Sequence, residues 1–203
     1  MTGTSNNPFY ADDALPRFAD ITPAHAKEAV PELLEEAKRA FAEFEASVEP
    51  TWTGIFDRLR MLTEPLERAW HVTSHLMGVR NSDELREVYE TLQPQMVQFF
   101  STIGQSEATY RALKALRDSE AWADLSAAQK RMVEKEELGM KLSGIGLEGA
   151  DKERFNVIQM ELAELATGFS NSVLDSRKAY ELIITDSTDV EGFPETLRQM
   201  TAA

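Results

Sequence analysis

The chain has 203 residues, 42% of them hydrophobic, enough to bury a substantial core in one domain or two small ones; intrinsic disorder is not expected. Against 35 Asp and Glu stand only 21 Lys and Arg, a formal charge of −14, so the surface repels phosphate backbones and anionic lipid heads; neither nucleic acid nor a membrane is expected as a partner. The lack of cysteine excludes disulfides, thiolate metal sites and cysteine nucleophiles and agrees with a reducing compartment, with cytoplasm as the expected location.

The first stretch, "MTGTSNNPFYADDALPRF", has neither the basic nor the apolar region of a secretory leader, and no run of roughly 18 apolar residues occurs anywhere. Residues 1–22 read as an extended lead-in whose Phe9, Leu15 and Phe18 are expected against the body; residues 23–203 read as one helical lobe. Thr22 as N-cap and Pro23 at the first helical position open a helix with Val30, Leu33, Ala37, Phe41 and Phe44 at helical spacing. Pro31 is expected to kink or restart it.

A second helix starts from Ile55 and continues through Leu59, Leu62, Leu66, Ala69, Thr73 and Leu76. Asn81 or Ser82 caps a third, through Leu85, Val88, Tyr89 and Leu92 towards Phe99, with a kink expected at Pro94; Ser106 opens a shorter fourth. Ser126 with Gln129 has the form of a capping box, and the helix it opens should end at Gly144. The longest pattern follows, with Phe155, Ile158, Leu162, Leu165, Phe169 and Val173 on one seam. After it Tyr180, Leu182 and Ile184 alternate, which predicts a short strand. No second strand is legible to pair with it, and Pro194 begins a helix of about two turns, too short to be stable alone. Both features lead to the expectation that the sequence stops before its fold does. The expected class is all-α: an elongated multi-helix body with one short strand near its end.

The second helix carries "HVTSH", with His71 and His75 four residues apart, the spacing by which H-E-x-x-H zinc peptidases place two imidazoles on one ion. Glu67, His71 and His75 fall on one line, but helical rise separates the outer two by about 12 Å, so only an adjacent pair could hold an ion. A zinc peptidase also needs a carboxylate where Val72 stands, to take the proton from metal-bound water. These three are therefore read as ordinary helix residues, with weak adventitious metal binding as the alternative and no catalytic residue assigned. "GFSNS", Gly168 to Ser172, falls short of a nucleophile elbow and sits within a helical seam; "SGIGL", Ser143 to Leu147, reads as a helix cap and turn. His25 has no assignable nucleophile, and the acidic runs "ELLEEAKRAFAEFE" and "VEKEE" read as solvated helix faces.

Five stretches, "FADITPAHAKEAVPELLEEA", "TSHLMGVRNSDELREVYE", "LSGIGL", "ELATGFSNSVLDS" and "LIITDSTDVEGFPE", come in an order that resembles the N-terminal region of oligopeptidase A and its thimet oligopeptidase relatives, the zinc metallo-oligopeptidases. The resemblance implies the first part of the helical N-terminal lobe of a neurolysin-like fold, which flanks a channel that admits short peptides. It also implies one zinc ion in the full-length enzyme, held by an H-E-x-x-H helix in a separate catalytic lobe. No H-E-x-x-H occurs here, so no catalytic, cofactor-binding or metal-binding residue carries over, and the chain alone is expected to be inactive. The implied partners are that catalytic lobe and short peptide substrates. The alternative is a free-standing acidic helical module that binds another protein.

Overall fold

Thr22 begins the helical body by a reciprocal cap. Its hydroxyl accepts from the His25 backbone N–H (3.4 Å), while the Thr22 N–H donates to His25 Nδ1 (3.2 Å). A histidine thus takes the place usually held by Glu or Gln in a capping box, and with Pro23 at the first position it starts α1 (Pro23–Ser47). The computed structural model describes residues 7–11 and 15–201. Pro31 does not restart α1, which runs on through it. Val30, Leu33, Leu34, Ala37, Phe41 and Phe44 are all buried along one face, and that packing offsets the hydrogen bond the proline removes.

The chain turns at Thr51, whose Oγ1 accepts from the Gly54 N–H (2.9 Å), through one wide π-type turn, Thr53–Asp57, into α2 (Arg58–Val79). Gly54 is required by space: a Cβ there would lie 2.7 Å from the Glu49 carbonyl oxygen. Of the two candidate caps for α3 (Asp83–Gly104), Ser82 is the one that caps, accepting from the Leu85 N–H (3.2 Å); Asn81 instead accepts from Arg86 Nε (2.7 Å). Pro65 and Pro94 lie inside α2 and α3, which continue past them as α1 does past Pro31.

Ser106 caps α4 (Glu107–Arg117) and also donates to Glu45 Oε1 (2.6 Å), tying the start of α4 to α1. A single short turn, α5 (Ala121–Asp124), leads to α6 (Ala127–Leu142), whose Ser126–Gln129 capping box is present with both bonds. Gly144, at φ 87°, then stops the helix in the left-handed region that favours glycine.

Three apolar clusters fill the N-terminal unit, Met1–Glu164. The largest joins α1, α2 and α3 through Phe41, Phe44, Leu66, Ala69, Leu92, Met96 and Phe99. A second gathers Ile55 with Leu113 and Leu116 of α4 and Val133 and Met140 of α6. A third sets Val72, Leu76 and Met77 of α2 against Ile21 and Leu85.

Phe9 of the lead-in packs on this body, and Phe18 rests its ring 5.4 Å from His75, but Leu15 is exposed. The rest of the lead-in, residues 1–6 and 12–14, lies outside the described residues. Asn7 is buried and donates to the His25 carbonyl (3.0 Å) and Glu28 Oε2 (3.1 Å), and the Tyr10 hydroxyl donates to the Glu32 carboxylate. Burial, then that bond and the charge of Glu32, push the Tyr10 phenol well above its ordinary value of 10.0. A raised folded-state value stabilises the fold fully below the unfolded value and is lost as pH climbs past it. Folding stability of the wild type should therefore fall above about pH 10 more steeply than that of Tyr10→Phe, as urea titrations between pH 9 and 11 would register. Parallel curves would remove the assigned cause.

Helix α7 (Gly149–Ala179) contributes its first part to the N-terminal unit and its remainder to the C-terminal unit, Leu165–Ala203. The latter continues through 180–186, a short turn at Ser187–Val190 and α8 (Glu195–Thr201). The strand expected at Tyr180, Leu182 and Ile184 does not form: these residues are exposed and, among the described residues, no strand exists to pair with them. Alternation alone cannot make a strand whose backbone groups find no ladder. The seam of α7 is present as a helix, yet no residue of α7 is buried.

Candidate functional site

His71, His75 and Glu67 share α2 as expected, and they belong to no group of three or more candidate ion ligands among the described residues. Both histidines are exposed, and His75 is engaged with Phe18, whose carbonyl also accepts from Arg80 Nη1 (3.1 Å). The contact sets Phe18 of the lead-in against α2. Val72, where a general base would have to stand, is 6% exposed and points into the cluster with Leu76, Met77 and Leu85. A carboxylate at that position would face the core and not a metal-bound water. Among the described residues no three His, Asp or Glu side chains converge as ion ligands. Zinc titrated into the chain is expected to give the same weak uptake for wild type and for the His71→Ala, His75→Ala double variant by calorimetry. A tenfold loss in the variant would reinstate the pair as ligands.

The remaining sequence candidates also resolve into structure. Ser172 of "GFSNS" lies inside α7 and donates to the Gly168 carbonyl (2.9 Å), an ordinary back-bond within a helix and not a nucleophile elbow. "SGIGL" is the turn after α6, and His25 is a cap residue.

One acidic residue departs from the solvated reading of "VEKEE". Glu137 is 5% exposed; Arg117 Nη1 donates to its Oε2 (3.1 Å), while Oε1 has no partner. Its neighbour Glu136 is partly buried, which pushes that carboxyl above the ordinary value. The signal was present in the spacing, because Val133, Glu137 and Met140 fall on one helical line and both apolar members are buried.

The N-terminal unit also has an open groove of about 410 Å³. One wall is Trp70 stacked on Tyr89 (4.6 Å between centroids, 12° between planes); Met96, Phe100 and Phe155 supply apolar surface. Gln93 Nε2 donates to the Ala163 carbonyl (3.1 Å), and Gln105 Nε2 donates to Asn156 Oδ1 (2.8 Å) and the Ser143 carbonyl (2.9 Å). The lining contains no carboxylate, imidazole or amine. Such a surface can bind apolar groups, and the hydroxyls of Tyr89, Ser101 and Ser143 have no carboxylate, imidazole or amine beside them in the lining to activate them.

The chain is therefore all-helical among the described residues, its N-terminal unit has a core of its own, and no group of three or more His, Asp or Glu among those residues could hold a metal ion. The chain belongs to the family described as Neurolysin/Thimet oligopeptidase, N-terminal domain, whose model matches residues 30–152. It is 37% identical over 190 residues to the organellar oligopeptidase A, chloroplastic/mitochondrial, of Arabidopsis thaliana, covering 94% of this chain and 24% of that protein. With oligopeptidase A of Haemophilus influenzae it shares 35% identity over 194 residues, covering 96% of this chain and 28% of the relative. With oligopeptidase A of Escherichia coli strain K12 it shares 35% over 191 residues, covering 94% and 28%. The chain thus spans about a quarter of the length of these relatives. No described helix is long and apolar enough to cross a membrane.

Proposed function

We propose that this chain serves as the N-terminal helical portion of a zinc-dependent oligopeptidase, a metalloendopeptidase that hydrolyses short peptides, and that its helices wall the substrate channel. The observation that carries this reading is the match to proteins named oligopeptidase A over 94% to 96% of the chain, within 24% to 28% of their length. In this reading residues 1–22 are a lead-in to a lobe formed by 23–203, the partners are a catalytic lobe and short peptides, and the chain alone hydrolyses nothing. The zinc ion does not fit His71, His75 or Glu67, and its ligands belong to the catalytic lobe. At a net charge of −14 neither nucleic acid nor an anionic lipid surface belongs among the partners. The proposed location is the cytoplasm, supported by the cysteine-free sequence and by a 36%-identical Arabidopsis thaliana relative whose name reads "Probable cytosolic oligopeptidase A".

The test is hydrolysis of a quenched-fluorescent short peptide, first by the purified chain and then by a chimera in which it replaces the matching part of the Escherichia coli K12 relative. The chain alone should leave the peptide intact at any zinc concentration, and the chimera should cleave it in a chelator-sensitive way. Zinc-dependent cleavage by the chain itself, persisting in His71→Ala and His75→Ala, would sink the reading, as would a folded but inert chimera.

A further inference from the structure

In the C-terminal unit, α7 presents Leu165, Phe169 and Val173 at every fourth residue, and these side chains are 69%, 73% and 42% exposed. A helix of globular protein normally turns such a row onto a core, and a contiguous exposed one marks a surface that something covers. Next to it lies a groove of about 540 Å³ lined by Phe169, Ser172, Val173, Ser176, Arg177 and Tyr180. Ser172 and Ser176 line the groove, and Gly168 stands one turn before them on the same line of the helix, so this line carries only small side chains over two turns.

Two further observations favour close approach of another helix. The Ser172 hydroxyl already donates to the Gly168 carbonyl, so covering it leaves no orphaned donor. A Cβ built on Gly168 meets nothing within 4 Å, and its backbone is not in the left-handed region, so neither packing nor conformation within this chain requires glycine there. Glycine inside a helix costs about 1 kcal/mol relative to alanine. A backbone that passes close above position 168 accounts for that cost. Two copies of this chain, each at −14, would have to meet against their own charge, which disfavours self-association as the occupant.

We propose that this face of α7 seats an apolar helix from the polypeptide that makes up the remaining three quarters of the relatives' length; the proposal rests on the oligopeptidase reading above. Gly168 and the serines set the approach distance, and Leu165, Phe169 and Val173 supply the apolar contact.

The test uses the 203-residue chain and the chimera with the Escherichia coli K12 relative. A thiol introduced by Phe169→Cys, followed on its own peptide by mass spectrometry, should react with a maleimide at least about tenfold more slowly in the chimera than in the chain. Gly168→Leu should leave the melting temperature of the chain unchanged or raised and lower that of the chimera. Equal labelling rates overturn the proposal, and so does a Gly168→Leu variant that is neutral in the chimera. Protection that grows with the concentration of the chain alone would assign the face to self-association and overturn it as well. An insoluble chimera counts against it, because a seated helix requires the two parts to assemble. Peptide cleavage separates this proposal from its premise: a protected but inert chimera keeps the docking face and removes the peptidase role, and an active chimera with a freely labelled face does the reverse.

Discussion

Phe44→Ala is expected to destabilise this chain by about 3–5 kcal/mol, the range for removing a buried aromatic ring from a packed core. Phe44 is 1% exposed, lies 5.8 Å from the Phe41 ring in a stacked pair, and has the Arg58 guanidinium over its ring at 5.4 Å. Arg58 is itself held there by two bonds to Ser47, to its carbonyl (2.9 Å) and its hydroxyl (3.0 Å). The cavity left by alanine would be bordered by the Phe41 ring and by an arginine tied to Ser47, neighbours that limit its collapse. Phe169→Ala removes the same ring from a side chain that is 73% exposed and should change the stability of this chain by no more than about 0.5 kcal/mol. Urea denaturation of both variants checks the contrast. Similar costs at the two positions would mean that the burial pattern described for α1 and α7 is wrong.

The second large effect concerns Glu137 and Arg117. Removing Arg117 leaves a buried carboxylate without its cation, and Arg117→Ala is expected to cost about 1–3 kcal/mol; the half-exposed arginine keeps the figure below that of a fully buried pair. Glu137→Met should be neutral or stabilising, because it removes both the desolvated charge and the unpartnered Oε1 while filling similar volume among Val133, Met140 and Leu116. In the Glu137→Met background Arg117→Ala should then cost little. A double-mutant cycle in which the two changes simply add would show that the pair is not coupled. The asymmetry between breaking the pair and replacing its buried member is what identifies the carboxylate as a cost and not a source of stability.

Most of the helices are legible without coordinates because their signals are local. Thr22 with Pro23, Ser82, Ser106 and Ser126 with Gln129 all cap the helices they announce, since a side-chain oxygen reaches an N–H only two or three residues away. Pro31, Pro65 and Pro94 each carry a local penalty, yet burial of neighbours such as Val30, Leu66 and Leu92 keeps their helices running. The family resemblance was equally legible, because it rests on the order of five stretches and not on any one contact.

The sequence by itself determined where most helices start and stop and that no H-E-x-x-H is present, properties of residues adjacent or nearly adjacent along the chain, and, through the order of its five stretches, to which family the chain belongs. Tertiary structure alone decided which faces are covered. The rows Val30–Phe44 and Phe155–Val173 have the same helical period, but one is buried and the other is not, because burial depends on what packs above a helix and periodicity records only its own turn. The same reason placed Val72 in the core, turned His75 towards Phe18, buried Glu137 against Arg117, and left Tyr180, Leu182 and Ile184 without a strand to join.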